Sequence, residues 1–268
     1  KATTIKDSGG IFAGIATSGA TEDPDSFDDV DLAAMINDDG TVNIDPEGIA
    51  QSADGGFWVA SEGAGTIGDT EDRPIEKLNF LFKTDPDGVI EDVITLPQEV
   101  NDIQVRFGFE GVAEYNGKAY VTFQRAWGGE SGPRIGIYDT NSGEWRFVFY
   151  PLDAVESQNG GWVGLSDISS LGNGKFLVVE RDTQGGPDAA IKRLYKIDLN
   201  FAADGDTITK EFVRDLVPDL KKPGGLVYEK IEGSAVTLNG DVYIINDNDG
   251  VDDNSGETQL INLGKILD

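Results

Sequence analysis

Four carboxylates head four similar stretches of this chain: Glu47 in EGIAQSADGGFWVASEG (47–63), Glu110 in EGVAEYNGKAYVTFQR (110–125), Asp167 in DISSLGNGKFLVVER (167–181) and Glu232 in EGSAVTLNGDVYIIND (232–247). Near the ends of the same stretches stand Glu62, Gln124, Glu180 and Asp247. Carboxylates pressed together cannot all stay ionised without a counter-charge, so either some keep their protons or a cation binds. Calcium takes about 6–8 oxygen ligands from carboxylates, carbonyls and water. Glu47, Glu110, Asp167, Glu232 and Asp247 are therefore the expected ligands, with Asp249 from the oxygen-rich run NDNDGVDD (246–253). That run is not an EF-hand loop, because with Gly250 in the glycine slot the first ligand position falls on Ile245. The competing role for the same acids is structural: capping turns and accepting backbone N–H bonds.

Basic residues are scarce, 21 against 49 acids. Arg125 and Arg181 each follow a β-prone run, and a guanidinium fork there suits a phosphate or a carboxylate ligand. Its competing role is an ion pair with a neighbouring acid. Glu180, beside Arg181, is a candidate catalytic carboxylate, and the general base is a Glu or Asp among several that are equivalent by position. Trp127 and Trp162 lie near the same connections and are candidates for a pocket floor, whereas Trp58 and Trp145 fall within strands and read as packing.

What is missing narrows the chemistry further. The chain has no cysteine and no histidine. Disulfides, thiol nucleophiles, a Ser-His-Asp triad and His- or Cys-ligated zinc are thereby excluded. A metal here must be hard and oxygen-bound, calcium first and magnesium second. The formal charge of −28 argues against unassisted binding of nucleic acid or an anionic membrane, both polyanions. No apolar run reaches the roughly 18–20 residues of a membrane-spanning helix.

The elements that must position these groups are strands. Each of the four stretches places a glycine-containing turn before a strongly β-prone run such as Phe176–Val179. A fainter fifth copy opens the chain. Between the copies lie hairpin signals of a second kind, at 32–44, 78–96, 134–152 and 193–213, each joining β-prone runs through Asp, Asn and Gly. One unit thus reads as four antiparallel strands, which is a propeller blade. The expected fold is all-β: a single β-propeller domain over 1–268 with about five four-stranded blades. The last unit has a candidate third strand at 259–263 and no clear fourth. Either the two termini share one blade, or sequence is missing upstream and the count rises to between five and seven. A β-sandwich with accidental turn similarity is the alternative. In a propeller the strand-one starts and strand-two ends emerge at one mouth of the central channel, where the carboxylates above should gather.

The segments 45–63, 108–121, 150–154, 164–182 and 232–249 resemble, in order, the esterase-like, phytase-like propeller family. The resemblance implies a secreted or periplasmic propeller, often one module of a larger protein. It also implies calcium-assisted hydrolysis of a phosphate ester, with a small phosphorylated substrate. On that reading calcium neutralises the carboxylate mouth, and Arg125 or Arg181 stabilises charge on the phosphate. The second expectation is a non-catalytic, calcium-stabilised propeller that binds a partner.

Overall fold

The structure is a computed structural model and describes residues 44–64, 78–222, 226–248 and 258–267. The opening copy of the repeat and the 32–43 part of its hairpin signal lie outside the described residues.

Fifteen strands form four antiparallel sheets among the described residues. The first contains β1 (Pro46–Gln51), β2 (Phe57–Ser61), β3 (Phe80–Thr84) and β4 (Ile90–Thr95), in that order. After a short helix α1 (Gln98–Asn101) come β5 (Phe109–Tyr115), β6 (Lys118–Phe123), β7 (Arg134–Asp139) and β8 (Glu144–Phe149), again in sequence order. The third sheet contains β9 (Val163–Gly172), β10 (Lys175–Asp182), β11 (Lys192–Asp198) and β12 (Lys210–Asp215). Helix α2 (Val217–Lys221) leads to the last sheet, β13 (Ile231–Val236), β14 (Val242–Asn246) and β15 (Leu260–Gly264). Each copy of the repeated stretch is therefore a first-to-second-strand hairpin, and the described hairpin signals of the second kind supply strands three and four. The last sheet has no fourth strand among the described residues.

The turns follow from local chemistry. Asn116 and Gly117 have φ of 52° and 71°, the doubly left-handed pair that matches hairpin twist between β5 and β6. Asn-Gly tolerates that conformation at low steric cost, so this turn sets the β5–β6 register from Tyr115↔Lys118 to Val112↔Val121.

The chain divides into two compact units, Lys1–Glu130 with Gly136–Trp145, and Ser131–Ile135 with Arg146–Asp268. In the first, β1 packs against β5; in the second, β9 packs against β13. Meander sheets whose first strands pack on one another are the architecture of the β-propeller class. The core of the first unit is aromatic: Phe109 meets Phe123 edge-on at 5.1 Å, and Phe123 meets Trp127 at 4.9 Å. Trp127 is fully buried and its indole donates to the Phe107 carbonyl at 3.3 Å, so it is core and not a pocket floor. The second unit is aliphatic, with Leu177, Val179, Leu194, Ile231, Val242 and Ile244 in one cluster. Each such side chain contributes about 1.5–3 kcal/mol on burial. No helix among the described residues is long and apolar enough to cross a membrane.

Candidate metal centre and its equivalents

The ladder register shows how the sheets hold their polar residues. First strands are irregular where the repeated stretch begins: the pairing skips Glu47 in β1, Glu110 and Gly111 in β5, Ser166 in β9 and Glu232 in β13. A bulge bends the strand and re-aims the extra side chain. The register also shifts the alignment read from sequence. In β9 the slot of Glu47 and Glu232 belongs to Ser166, and Asp167 takes the glycine slot. In β10 the slot of Glu62, Gln124 and Asp247 belongs to Arg181, and Glu180 lies one position earlier. Arg181 and Arg125 are therefore not equivalent. The reason lies in residue type: the third copy carries Ser166 and Arg181 in slots that hold acids or an amide elsewhere, so the acids one position away, Asp167 and Glu180, mimic the pattern.

Four equivalent pairs result, Glu47–Glu62, Glu110–Gln124, Ser166–Arg181 and Glu232–Asp247, and their chemistry differs. In the first sheet Asp45, Glu47 and Glu62 each offer an oxygen, and the three lie within 4.8 Å of one another. Gly48 permits the packing beneath them, since a Cβ there would sit 2.4 Å from the Glu110 carbonyl oxygen. The Glu62 amide donates to the Asp45 carbonyl at 2.9 Å, and the Glu62 carboxylate accepts the Gly108 amide at 2.8 Å. Burial pushes the Glu62 carboxyl above its usual range; the Gly108 amide and Arg106 offset part of this, and the charge of Asp45 adds to it. Asp45 was not singled out from the sequence, although it opens the DPEG segment.

In the second sheet Glu110 is buried and accepts a hydrogen bond from the Gln124 amide. Arg125 lies two residues past β6, with its guanidinium 4.9 Å from the Phe107 ring centre. Burial and the nearby Arg106 lower its pKa.

The second unit is self-neutralising. The Arg181 side chain is 3% exposed; Nε donates to Ser166 Oγ at 2.8 Å, one terminal nitrogen pairs with Glu232, and the guanidinium carbon lies 5.6 Å from the Trp162 ring centre. Its other terminal nitrogen is buried with no hydrogen-bond partner. Burial raises the Glu232 carboxyl, with Arg181 and Lys230 pulling it back. Asp247 pairs with Lys230 at 3.5 Å. Asp167 accepts both the amide and the hydroxyl of Ser234, each at 2.7 Å, yet burial pushes it up to about 6. Asp249 lies outside the described residues.

Glu180 projects into a separate network. It accepts the Asp153 amide at 2.7 Å and Lys210 Nζ at 2.6 Å, while Lys210 also reaches Asp153 at 2.8 Å. Asp153 accepts Arg193 and the Tyr195 hydroxyl, both at 2.5 Å. Burial raises Glu180 despite these donors, and for Asp153 the donors outweigh burial and hold it low. Sequence reasoning missed Asp153, Lys210 and the fully buried Asp182–Lys192 pair at 2.8 Å, because each joins residues from different strands or loops.

An all-β propeller whose strand ends carry carboxylates in repeated slots is the class this geometry defines. The family model described as phytase-like, esterase-like activity of phytase, matches residues 1–250, and the chain belongs to this phytase-like family. No curated protein matches the sequence. Among solved structures, a variant of the Synechocystis apocarotenoid oxygenase is similar at 13% identity and TM-score 0.40, over 82% of this chain and 50% of that one. The phage phi92 endosialidase is similar at 14% and 0.42, over 84% and 36%. The GH74 xyloglucanase from Xanthomonas campestris is similar at 13% and 0.37, over 90% and 34%. The chain thus spans half or less of the length of each.

Proposed function

We propose that the protein is a secreted, calcium-dependent phosphoesterase whose calcium is held by Asp45, Glu47 and Glu62. The observation that carries this reading is the approach of three carboxylates to within 4.8 Å. The donor set fits the ion: all oxygen, three negative charges, Asp45 exposed and the two glutamates half-buried, as a hard divalent cation requires. When bound, calcium supplies positive charge that admits a phosphate monoester and lowers the pKa of a coordinated water. The chain's own part is to hold those oxygens. The Gly108 amide fixes one Glu62 oxygen, and the β1–β2 pairing, with its bulge at Glu47 and the Glu62 amide on the Asp45 carbonyl, sets Asp45 and Glu47 beside it.

Arg125 is the residue of the same unit proposed to steady the phosphate oxygens. Its guanidinium rests on Phe107, the residue next to the Gly108 amide that holds Glu62. Glu180 serves in this proposal as a fixed anion of the second unit and not as the base, because its two oxygens are occupied by Lys210 and the Asp153 amide. Glu232 and Asp247 are proposed to need no calcium, since Arg181 and Lys230 already answer their charge.

The test is elemental analysis of the purified chain, followed by phosphate release from p-nitrophenyl phosphate and from phytate with and without chelator. Bound calcium with chelator-sensitive release supports the enzyme, and Glu62→Gln should then abolish both. Calcium without turnover would instead favour a calcium-stabilised binding module. Turnover that survives chelation would sink the calcium mechanism.

A further inference from the structure

A groove of about 580 Å³ lies in the first unit between β4 and the β7–β8 hairpin. Tyr138 and Trp145 supply two half-buried rings, 5.2 Å apart at their centres, and Asp92 and Glu144 supply two exposed carboxylates. The Trp145 indole donates to the Thr95 carbonyl at 2.9 Å, which fixes the ring against the strand. Among the described residues, no lysine or arginine lines the groove.

The neighbouring hollow shows what such a composition accommodates. It shares Asp92 and Tyr138 with the groove, and there the chain fills the place itself. Lys83 Nζ lies 5.8 Å from the Trp58 ring centre, 2.7 Å from Asp54 and 3.8 Å from Glu91. An ammonium over an aromatic face and between carboxylates is attracted by both the ring quadrupole and the charges. The groove repeats the ring and carboxylate parts without a lining base. Its charged lining residues are both acids, Asp92 and Glu144, and burial, with Asp92 and Asp139, raises the Tyr138 phenol.

We propose that this groove receives a lysine or arginine side chain carried on an extended segment of a partner protein. An extended segment fits because β4 is the outermost strand of its sheet among the described residues, and an edge strand offers main-chain groups to an added strand. The basic side chain then enters between Asp92 and Glu144 and lies along Tyr138. This inference stands apart from the calcium site, whose residues it does not use.

The test is titration of the full chain with the peptide acetyl-(Gly-Arg)3-amide at 150 mM salt, followed by calorimetry, with the citrulline peptide of equal shape as the neutral control. The arginine peptide is expected to bind at least tenfold more tightly. The double variant Asp92→Asn/Glu144→Gln should lose at least fivefold, and Tyr138→Ser a similar amount, with melting curves confirming the fold of each. A variant with the same charge change elsewhere, Glu211→Gln/Glu229→Gln, should lose less than twofold. Equal losses in the two double variants would show diffuse attraction to an acidic protein and overturn the proposal, as would absence of binding or equal binding of the citrulline peptide.

Discussion

The first and last sheets carry the same three slots and differ in the sign of charge at one of them. In the first, the three positions hold Asp45, Glu47 and Glu62, within 4.8 Å of one another. In the last, the equivalent positions hold Lys230, Glu232 and Asp247, and Arg181 from the neighbouring sheet adds a second cation. Backbone bonds confirm the match: Glu62 donates to the Asp45 carbonyl at 2.9 Å, and Asp247 donates to the Lys230 carbonyl at 3.1 Å. One exchange, Asp for Lys, separates a cluster of three carboxylates from one that contains its own cation. A repeat architecture gives similar backbones to different side chains, so divergence at one slot is enough to change the charge balance of a whole cluster.

The largest effect should come from breaking the self-sufficient side. Arg181→Ala leaves Glu232 unpaired in a largely buried setting and removes the bond to Ser166. Losing one partner of a buried pair costs about 3–5 kcal/mol, to be read from urea unfolding. The double variant Arg181→Ala/Glu232→Gln should recover part of that loss. If Arg181→Ala is as stable as the wild type, the contrast between the sheets collapses.

Next comes the exchange that would convert the first site into a copy of the last. Asp45→Lys should abolish calcium binding and phosphate release together. At calcium a hundredfold above the dissociation constant the wild type gains about 2.7 kcal/mol from the ion, and the variant should gain none. Melting with calcium and with chelator measures the difference. A variant that still melts higher in calcium would place the ion elsewhere.

Asp167 sharpens the picture through pH. Its carboxyl is raised to about 6 in the folded chain against 3.8, so the folded state binds its proton more tightly than the unfolded state does. Stability therefore rises as pH falls through 6, and the cost of the buried charge is fully present above that value. Between pH 7.5 and 5 the relief is about 1 kcal/mol, taking about 1.4 kcal/mol per pKa unit. Asp167→Asn should flatten this part of the stability profile. A wild-type profile that already lacks the rise would show that the charge is compensated. The smallest effect belongs to Lys230→Ala, because an exposed 3.5 Å pair contributes about 1 kcal/mol or less. Its interest lies in whether Glu232 and Asp247 then acquire measurable calcium affinity.

Much of the fold was legible because turn chemistry is local. Asn116-Gly117 announces a hairpin on its own, and Phe176–Val179 is a strand by composition. The third strand of the last sheet, expected at 259–263, runs from Leu260 to Gly264. The site was legible in part. Glu47 and Glu62 were marked by their place in the repeat, whereas Asp45 precedes the repeated stretch and meets Glu62 only through the β1–β2 pairing. Asp167 and Glu180 were aligned one position away from their structural equivalents, since their copy holds Ser166 and Arg181 in the slots where an acid was expected.

The sequence by itself determined the secondary structure, the repeat order and the list of chemistries open to a chain without cysteine or histidine. Those properties follow from residue type and short-range spacing. Only the tertiary structure decided which acids face an acid and which face a base. Arg181 meets Glu232 across 51 positions and Asp167 meets Ser234 across 67. Such pairings are set by how sheets pack and where strands bulge, and Coulomb energy depends on the distance in space that results.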